Sequence, residues 1–304
     1  MTARFIGATA RFGVAVFIVS ACSGTPSVGG GSSGGSSSGG SSSSSGGSSS
    51  SSSSGGSSSS GGSSSSSSGG TSSGGTSSTA SSTGATIVPL YSYPTEAPWP
   101  AIVTAKLAHS SVPVIAIANV NDGPGTALDS EFTSGIRTLT NAGIVVIGYV
   151  YTSYSARAAA TVKADIDAWH RFYPGVTGIF FDEESNTSGE ETYYRDLATY
   201  AKGNGMTLTV ANPGTDTSSA YINAMDVTFI YETNGLPTSS LLTGWRSRYG
   251  RAKVGVIPYA VNFDLAWVQQ ARSAVGYIYV TNDDLPNPWD TLPSYFSSLL
   301  AALE

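Results

Sequence analysis

Cysteine occurs once in this 304-residue chain, at Cys22, so no intramolecular disulfide can form. Histidine occurs twice, at His109 and His170. Without a cysteine set or a histidine pair, a transition-metal site lacks ligands, and a metal-dependent polysaccharide deacetylase loses its support. Lys and Arg number 14 against 20 Asp and Glu, a formal charge of −6. No basic cluster is present to neutralise phosphates, which argues against nucleic acid as a partner. No Gly-x-Ser-x-Gly elbow follows a predicted strand, so serine-hydrolase chemistry has no anchor. No Gly-rich phosphate loop follows the first apolar run, which weakens a dinucleotide site. No cofactor is expected. Beyond the N-terminus no apolar run reaches membrane length, so the domain itself is expected to be soluble.

What is present begins with Arg4 and Arg11 ahead of a short apolar stretch, Phe12 to Val19. That stretch is too short to span a bilayer and reads as a signal peptide over residues 1–21. Val19-Ser20-Ala21-Cys22 resembles a bacterial lipoprotein cleavage box, which implies cleavage before Cys22 and its acylation. Ser23 goes with outer-membrane delivery where two membranes exist. The expected location is therefore the cell envelope or its extracellular face, held by a lipid anchor. Residues 22–84 are almost wholly Ser and Gly after the cysteine. Such a tract cannot bury enough apolar surface to repay ordering and is expected to stay a disordered linker. As a random coil it spans about 40–45 Å, at about 5–6 Å times the square root of its length.

The remaining residues, 85–304, suffice for one domain with a sizeable core. Apolar runs recur at Thr86–Tyr91, Val114–Asn119, Ile144–Tyr149, Gly178–Phe181, Thr207–Ala211, Val227–Tyr231, Ala252–Pro258 and Val275–Val280. Helical patterns separate them, around Ile102–His109, Glu131–Asn141, Ala156–Phe172, Glu191–Lys202, Ser218–Ala224, Ser239–Tyr249, Asp264–Ser273 and Pro293–Leu300. Alternation of this kind signals repeated βαβ units on a parallel sheet. Eight units predict an α/β fold, a (β/α)8 TIM-like barrel near the small end of its size range. A doubly wound open sheet is the alternative. A monomer is expected.

In a barrel, residues just past each strand line one mouth, where the chemistry sits. Those positions hold Tyr91 and Tyr93, Asn119 and Asn121, Tyr149 and Tyr151, Asp182 and Glu183, Asn212, Glu232, Tyr259, Thr281 and Asn282. Tyrosines, amides and carboxylates together suit a carbohydrate cleft, where aromatic faces stack on sugars and amides bind hydroxyls. Singly, each has a plainer reading. Acids cap helices, and Asn212-Pro213-Gly214 makes an ordinary turn. Arg157 could reach an active-site acid or pair at the surface. The two histidines fall late in predicted helices, where a cation is favoured for structural reasons.

Two predicted strands end in acids: Gly178-Ile179-Phe180-Phe181-Asp182-Glu183-Glu184 and Val227-Thr228-Phe229-Ile230-Tyr231-Glu232. Side chains alternate faces along a strand. Gly178, Phe180 and Asp182 are expected to face the crowded interior, with Ile179 and Phe181 toward the helices. Thr228, Ile230 and Glu232 are expected inward, with Phe229 and Tyr231 outward. Asp182 and Glu232 then point into the mouth, Glu183 supports them, and Glu184 is a solvated loop residue.

Several motifs in order now resemble one family. They are Val88-Pro89-Leu90-Tyr91, Asn119 with Gly123-Pro124-Gly125, Gly148-Tyr149-Val150 with Thr152, Tyr154 and Arg157, and Asp165-Ile166. They continue in Gly178 to Glu183, Asn212-Pro213-Gly214, and Asp226 with Tyr231-Glu232. The domain is similar throughout to the spherulin-4-like, or spherulation-specific, proteins. The resemblance implies a (β/α)8 glycoside hydrolase whose relatives cleave α-1,4-linked N-acetylgalactosamine polymers of biofilm matrices. The family's acids fall on Asp182, Glu183 and Glu232, and the Ser/Gly tether lies outside the likeness. The expectation is a surface-tethered, endo-acting, retaining glycosidase on a galactosamine- or N-acetylgalactosamine-containing polysaccharide. Asp182 would serve as nucleophile or electrostatic stabiliser and Glu232 as general acid, with Glu183 tuning one of them. The alternative is a catalytically silent carbohydrate-binding or coat-associated protein on the same barrel.

Overall fold

Eight short parallel strands, each followed by a helix, make up the computed structural model, which describes residues 83–304. The signal peptide, Cys22 and nearly all of the Ser/Gly tract lie outside the described residues. The strands are β1 (Thr86–Leu90), β2 (Val114–Ala118), β3 (Val145–Tyr151), β4 (Val176–Asp182), β5 (Leu208–Ala211), β6 (Val227–Phe229), β7 (Val254–Val256) and β8 (Tyr277–Ile278). They pair in chain order, all parallel. Ala85 closes the ring against β8: its N–H donates to Gly276 O at 3.0 Å, and its carbonyl accepts from Ile278 N–H at 2.9 Å. The fold is the TIM-like barrel.

The outer layer comprises α1 (Pro98–Ala108), α2 (Ser130–Asn141), α3 (Ala159–Phe172), α4 (Glu191–Gly203), α5 (Ser219–Ala224), α6 (Ser239–Arg248), α7 (Leu265–Ala271) and α8 (Phe296–Leu303). Local chemistry starts several of them. Asp129 accepts from the N–H groups of Glu131 and Phe132 at the head of α2, and Asp264 does so for Trp267 in α7. Each bond satisfies an N–H that the helix cannot. A 3-10 turn at Arg251–Lys253, not expected from the sequence, leads into β7. His109 ends α1 and His170 lies in the last turn of α3, at the barrel end opposite the strands' C-termini. His109 bonds Glu304 at 3.1 Å and Ser297 at 2.9 Å.

Glycines show which way the strands face. A Cβ on Gly148 would fall 2.4 Å from the ring of Trp169 in α3, so this residue of β3 faces the helices. Trp169 lies on the bare backbone and donates its indole N–H to Tyr149 O at 2.8 Å. Tyr149 and its β4 partner Phe180 consequently face inward, their rings 6.0 Å apart. Gly178 shares that inner face, where a Cβ would meet Leu208 O at 2.5 Å and Ile147 at 2.6 Å. Gly148→Ala should destabilise the fold by about 2–3 kcal/mol, because backbone and ring must part. Urea unfolding measures it; an unchanged midpoint would contradict this packing.

Strand β6 departs from the simple alternation. Phe229 packs against Phe180 with ring centroids 5.9 Å apart, so it faces inward rather than outward. Ile230 N–H donates to Gly255 O, but Ile257 N–H donates to Tyr231 O instead of Ile230 O. One extra residue is thus accommodated here, as in a β-bulge. Tyr231 turns toward Trp245 of α6, 6.1 Å between centroids, and the next residue, Glu232, turns in. The acid reaches the mouth by this slip and not by the expected parity.

Candidate active site

Asn212, just past β5, is nine-tenths buried and joins two acids from different strands. Its Nδ2 donates to Asp182 Oδ1 at 2.9 Å and to Glu232 Oε2 at 2.5 Å. Its own Oδ1 accepts from Gly214 N–H at 3.0 Å, which fixes the amide's orientation. Gly214 adopts φ 66°, a left-handed turn that suits glycine. Its carbonyl in turn accepts from Glu232 N–H at 3.1 Å. The Asn-Pro-Gly turn therefore sets both the bridging amide and the backbone beside Glu232.

The two carboxyls differ in what surrounds them. Asp182 Oδ2 accepts from the Tyr149 hydroxyl at 2.8 Å, and the backbone N–H of Glu183 also donates to this acid. Burial raises the Asp182 pKa, and the bonds from Tyr149, Asn212 and the Glu183 backbone work against that rise by favouring the anion. Glu232 is pushed up to about 7 by burial first and then by the charge of Asp182; bonds from Asn212 and Trp289 oppose the shift. Proximity of two carboxyls in this setting separates their tasks.

Glu183 has φ 53°, a left-handed backbone rare for a residue with a Cβ. Its carbonyl is held by Thr152 Oγ1 at 2.7 Å and by Tyr154 N–H at 2.8 Å. The side chain bonds Ser153, and its pKa is raised by burial and then by Asp182. Ser153, Tyr154 and Ser155 are all left-handed themselves. Strain concentrated in this way is common at functional sites. It sets Tyr154 near the acids: its phenol is raised by burial and by the charges of Glu183, Asp182 and Glu232.

Among the other expected site residues, Tyr91 lies edge-on to Tyr149 with centroids 5.5 Å apart, and both acids act on its phenol. Tyr259 is edge-on to Trp289 at 6.1 Å and feels Glu232. Tyr93 and Asn121 lie farther out along the mouth in an adjoining cavity, with Tyr93 O–H donating to Asp129 at 3.1 Å. The Asn119 side chain is engaged in a turn, accepting from Gly123 N–H at 3.0 Å. Thr281 is buried, its Oγ1 accepting from Asp283 N–H at 3.1 Å. Asn282 is exposed in the loop after β8.

Of the two readings open for Arg157, pairing away from the acids is the one seen: it bonds Asp165 at 2.6 Å, donates to Tyr151 O at 3.0 Å and covers the Tyr151 ring at 4.1 Å. That leaves Arg157 and Tyr151 as one stacked unit anchored to α3. Glu184 is not solvated. It is 1% exposed, its N–H donates to Asn212 O, and neither carboxylate oxygen has a partner among the described residues. Burial alone lifts its pKa well above the usual range.

A folded-state pKa raised this way makes stability greatest below the unfolded carboxyl's pKa and erodes it as pH rises. Glu184→Gln should therefore flatten the fall in melting temperature between about pH 5 and 8. Thermal melts across that range check the sign; equal slopes in both proteins would contradict a buried neutral acid.

Sequence reasoning missed Trp289 and Tyr154 as site residues. Trp289 comes from a long loop after β8, where no strand-end rule reaches it. Tyr154 was present in the motif series but lacked a positional signal.

Against known proteins, the profile of the spherulation-specific family 4 matches residues 85–303. Spherulin-4 of Physarum polycephalum is 33% identical over 232 residues, covering 71% of this chain and 69% of that protein. The chain belongs to the spherulation-specific family. Among solved structures, Aspergillus clavatus Sph3 in complex with GalNAc superposes with a TM-score of 0.66 at 23% identity. The match covers 73% of this chain and 97% of that one, and at this identity it speaks for the shared barrel. In this chain the Asn212-bridged acids and Tyr149 lie at the C-terminal ends of β3 to β6.

Proposed function

We propose that the protein is a retaining, endo-acting glycoside hydrolase that cuts an α-1,4-linked polysaccharide containing N-acetylgalactosamine. The observation that carries this reading is the pair of acids sharing one amide nitrogen. Contacts of 2.9 and 2.5 Å to the same Nδ2 leave the two oxygens at most about 5.4 Å apart, the sum of the two lengths. Retaining glycosidases hold their carboxyls at about 5–5.5 Å, whereas inverting ones need about 6.5–9.5 Å to admit a water. Membership of the spherulation-specific family and the GalNAc bound to the A. clavatus relative support the sugar class.

In this mechanism the Glu232 carboxylic acid donates its proton to the glycosidic oxygen as the bond to the anomeric carbon breaks. Asp182, held as an anion by Tyr149, Asn212 and the Glu183 backbone, attacks or stabilises that carbon from the other face. Glu232, now a carboxylate, then takes a proton from the water that displaces Asp182, and the starting configuration returns. Glu183 acts on Asp182: its backbone N–H donates to that carboxylate, and its side chain lies within reach of the same charge. Tyr91 and Tyr154 offer aromatic walls to the sugar.

The decisive experiment incubates the protein with α-1,4-galactosaminoglycan and a panel of other polysaccharides and counts new reducing ends. Release from the first, with little from the rest, is expected. Binding without cleavage of any polymer would instead leave a carbohydrate-binding or coat-associated protein. We also propose that Cys22 is acylated and that the Ser/Gly tract holds the barrel off the cell envelope. Labelling with a fatty acid in a bacterial host should mark the wild type; a label retained in Cys22→Ser would refute the anchor.

A further inference from the structure

Two hydrogen bonds reach the Glu232 carboxyl, and both come from N–H donors. Asn212 Nδ2 donates to Oε2 at 2.5 Å, and the indole of Trp289 bonds the same side chain. The Asn212 amide cannot turn round to accept, since its Oδ1 is held by Gly214 N–H at 3.0 Å. An indole has no acceptor to offer. Neither neighbour can therefore take the acid's proton, and each favours the carboxylate once that proton has gone.

Trp289 is fixed where it stands. It is 8% exposed. Its carbonyl accepts from Tyr91 N–H at 3.0 Å, and its own N–H donates to Asn287 Oδ1 at 3.2 Å. Its ring is edge-on to Tyr259 and tilted against Tyr279, each with centroids 6.1 Å away. Tyr91 and Tyr259, two of these contacts, also feel the Glu232 charge. The other indoles are engaged elsewhere. Trp99, Trp169 and Trp267 donate to backbone carbonyls, and Trp245 Nε1 has no partner among the described residues. Of the five tryptophans, Trp289 is the one whose indole bonds a titrating group.

We propose that Trp289 is a positioning residue for the general acid. With Asn212 it holds the Glu232 carboxyl between two donors, so the proton is left for the glycosidic oxygen and the carboxylate formed is met by N–H groups already in place. The inference rests on the glycosidase reading above and adds the group that readies Glu232 for its second task, taking a proton from water. The other titratable groups facing Glu232 are Asp182 and the phenols of Tyr91, Tyr154 and Tyr259. The phenols are all raised and stay protonated near neutral pH, which leaves Asp182 as the partner in titration.

Trp289→Phe keeps a ring against Tyr259 and Tyr279 and removes the N–H. Losing a donor that favours the anion should move the alkaline limb of kcat/KM upward by about one pH unit. A merely structural change would lower the rate at every pH and leave the limb in place. NMR of the indole N–H signals gives a second readout that needs no substrate. One of the five should move with a midpoint near 7 in the wild type and stay still in Glu232→Gln. A limb that stays put or moves down in Trp289→Phe, or a wild type in which no indole titrates, overturns the role while the glycosidase stands. If the wild type cuts no polymer, the glycosidase reading fails alone. In that case, or if Trp289→Phe does not fold, the indole titration decides whether Trp289 holds the acid.

Discussion

Glu232→Gln should lower hydrolysis of the natural polymer by about 10²–10⁴-fold, the usual worth of a positioned general acid. The amide keeps the shape and can still meet Asn212, but it has no proton to give the leaving sugar. The loss should shrink sharply on an activated aryl glycoside, whose leaving group departs without protonation. The pH profile carries the same information. With Glu232 pushed up to about 7, the rate should fall on the alkaline side near that pH as the acid ionises. On the acid side it should fall as Asp182 takes up its proton. Because the two acids interact, these limbs belong to the pair. A profile flat through neutral pH, or an equal loss on both substrates, would contradict the role of Glu232.

Asp182→Asn should be at least as damaging, on the order of 10³-fold or more, and the aryl glycoside should not rescue it. This group meets positive charge developing at the anomeric carbon, which no leaving group removes. The three donors around Asp182 make the difference specific, since Tyr149, Asn212 and the Glu183 backbone are arranged for an anion. In Asp182→Ala, turnover restored by added azide would mark a nucleophile. Aryl-glycoside activity at wild-type level in Asp182→Asn would remove this residue from the mechanism.

The barrel was legible because its strands are short apolar runs spaced by helical patterns, a signal that survives errors of a residue or two at each end. β8 shows the limit: the run Val275–Val280 suggested six residues, while two are in the ladder. Rings and backbone bonds from Trp289 and the Ala85 bridge occupy its flanks. The acids at the ends of β4 and near β6 were legible as strand-end carboxylates. Their arrangement was less so, because alternation assumes an unbroken ladder and the slip after Phe229 breaks it. Glu184 was misread for a related reason. In a run of three acids, the left-handed turn at Glu183 sends the third one back into the protein. Arg157 was left open between the acids and a pairing elsewhere, because closeness in sequence to the mouth does not say which acid a long side chain meets; it is committed to Asp165 and a tyrosine ring. Asn212 was expected to bind sugar, yet its main visible task is to bridge the acids, a role that no single-residue pattern encodes.

Proton NMR of the first product released from an α-linked N-acetylgalactosamine oligosaccharide tests the central claim most directly. It reads cleavage and geometry together, before mutarotation mixes the anomers. Two carboxyls held to one amide nitrogen predict that the α anomer appears first, in the wild type and not in Asp182→Asn or Glu232→Gln. An initial β anomer would contradict the close pair, and no product at all would contradict the enzyme.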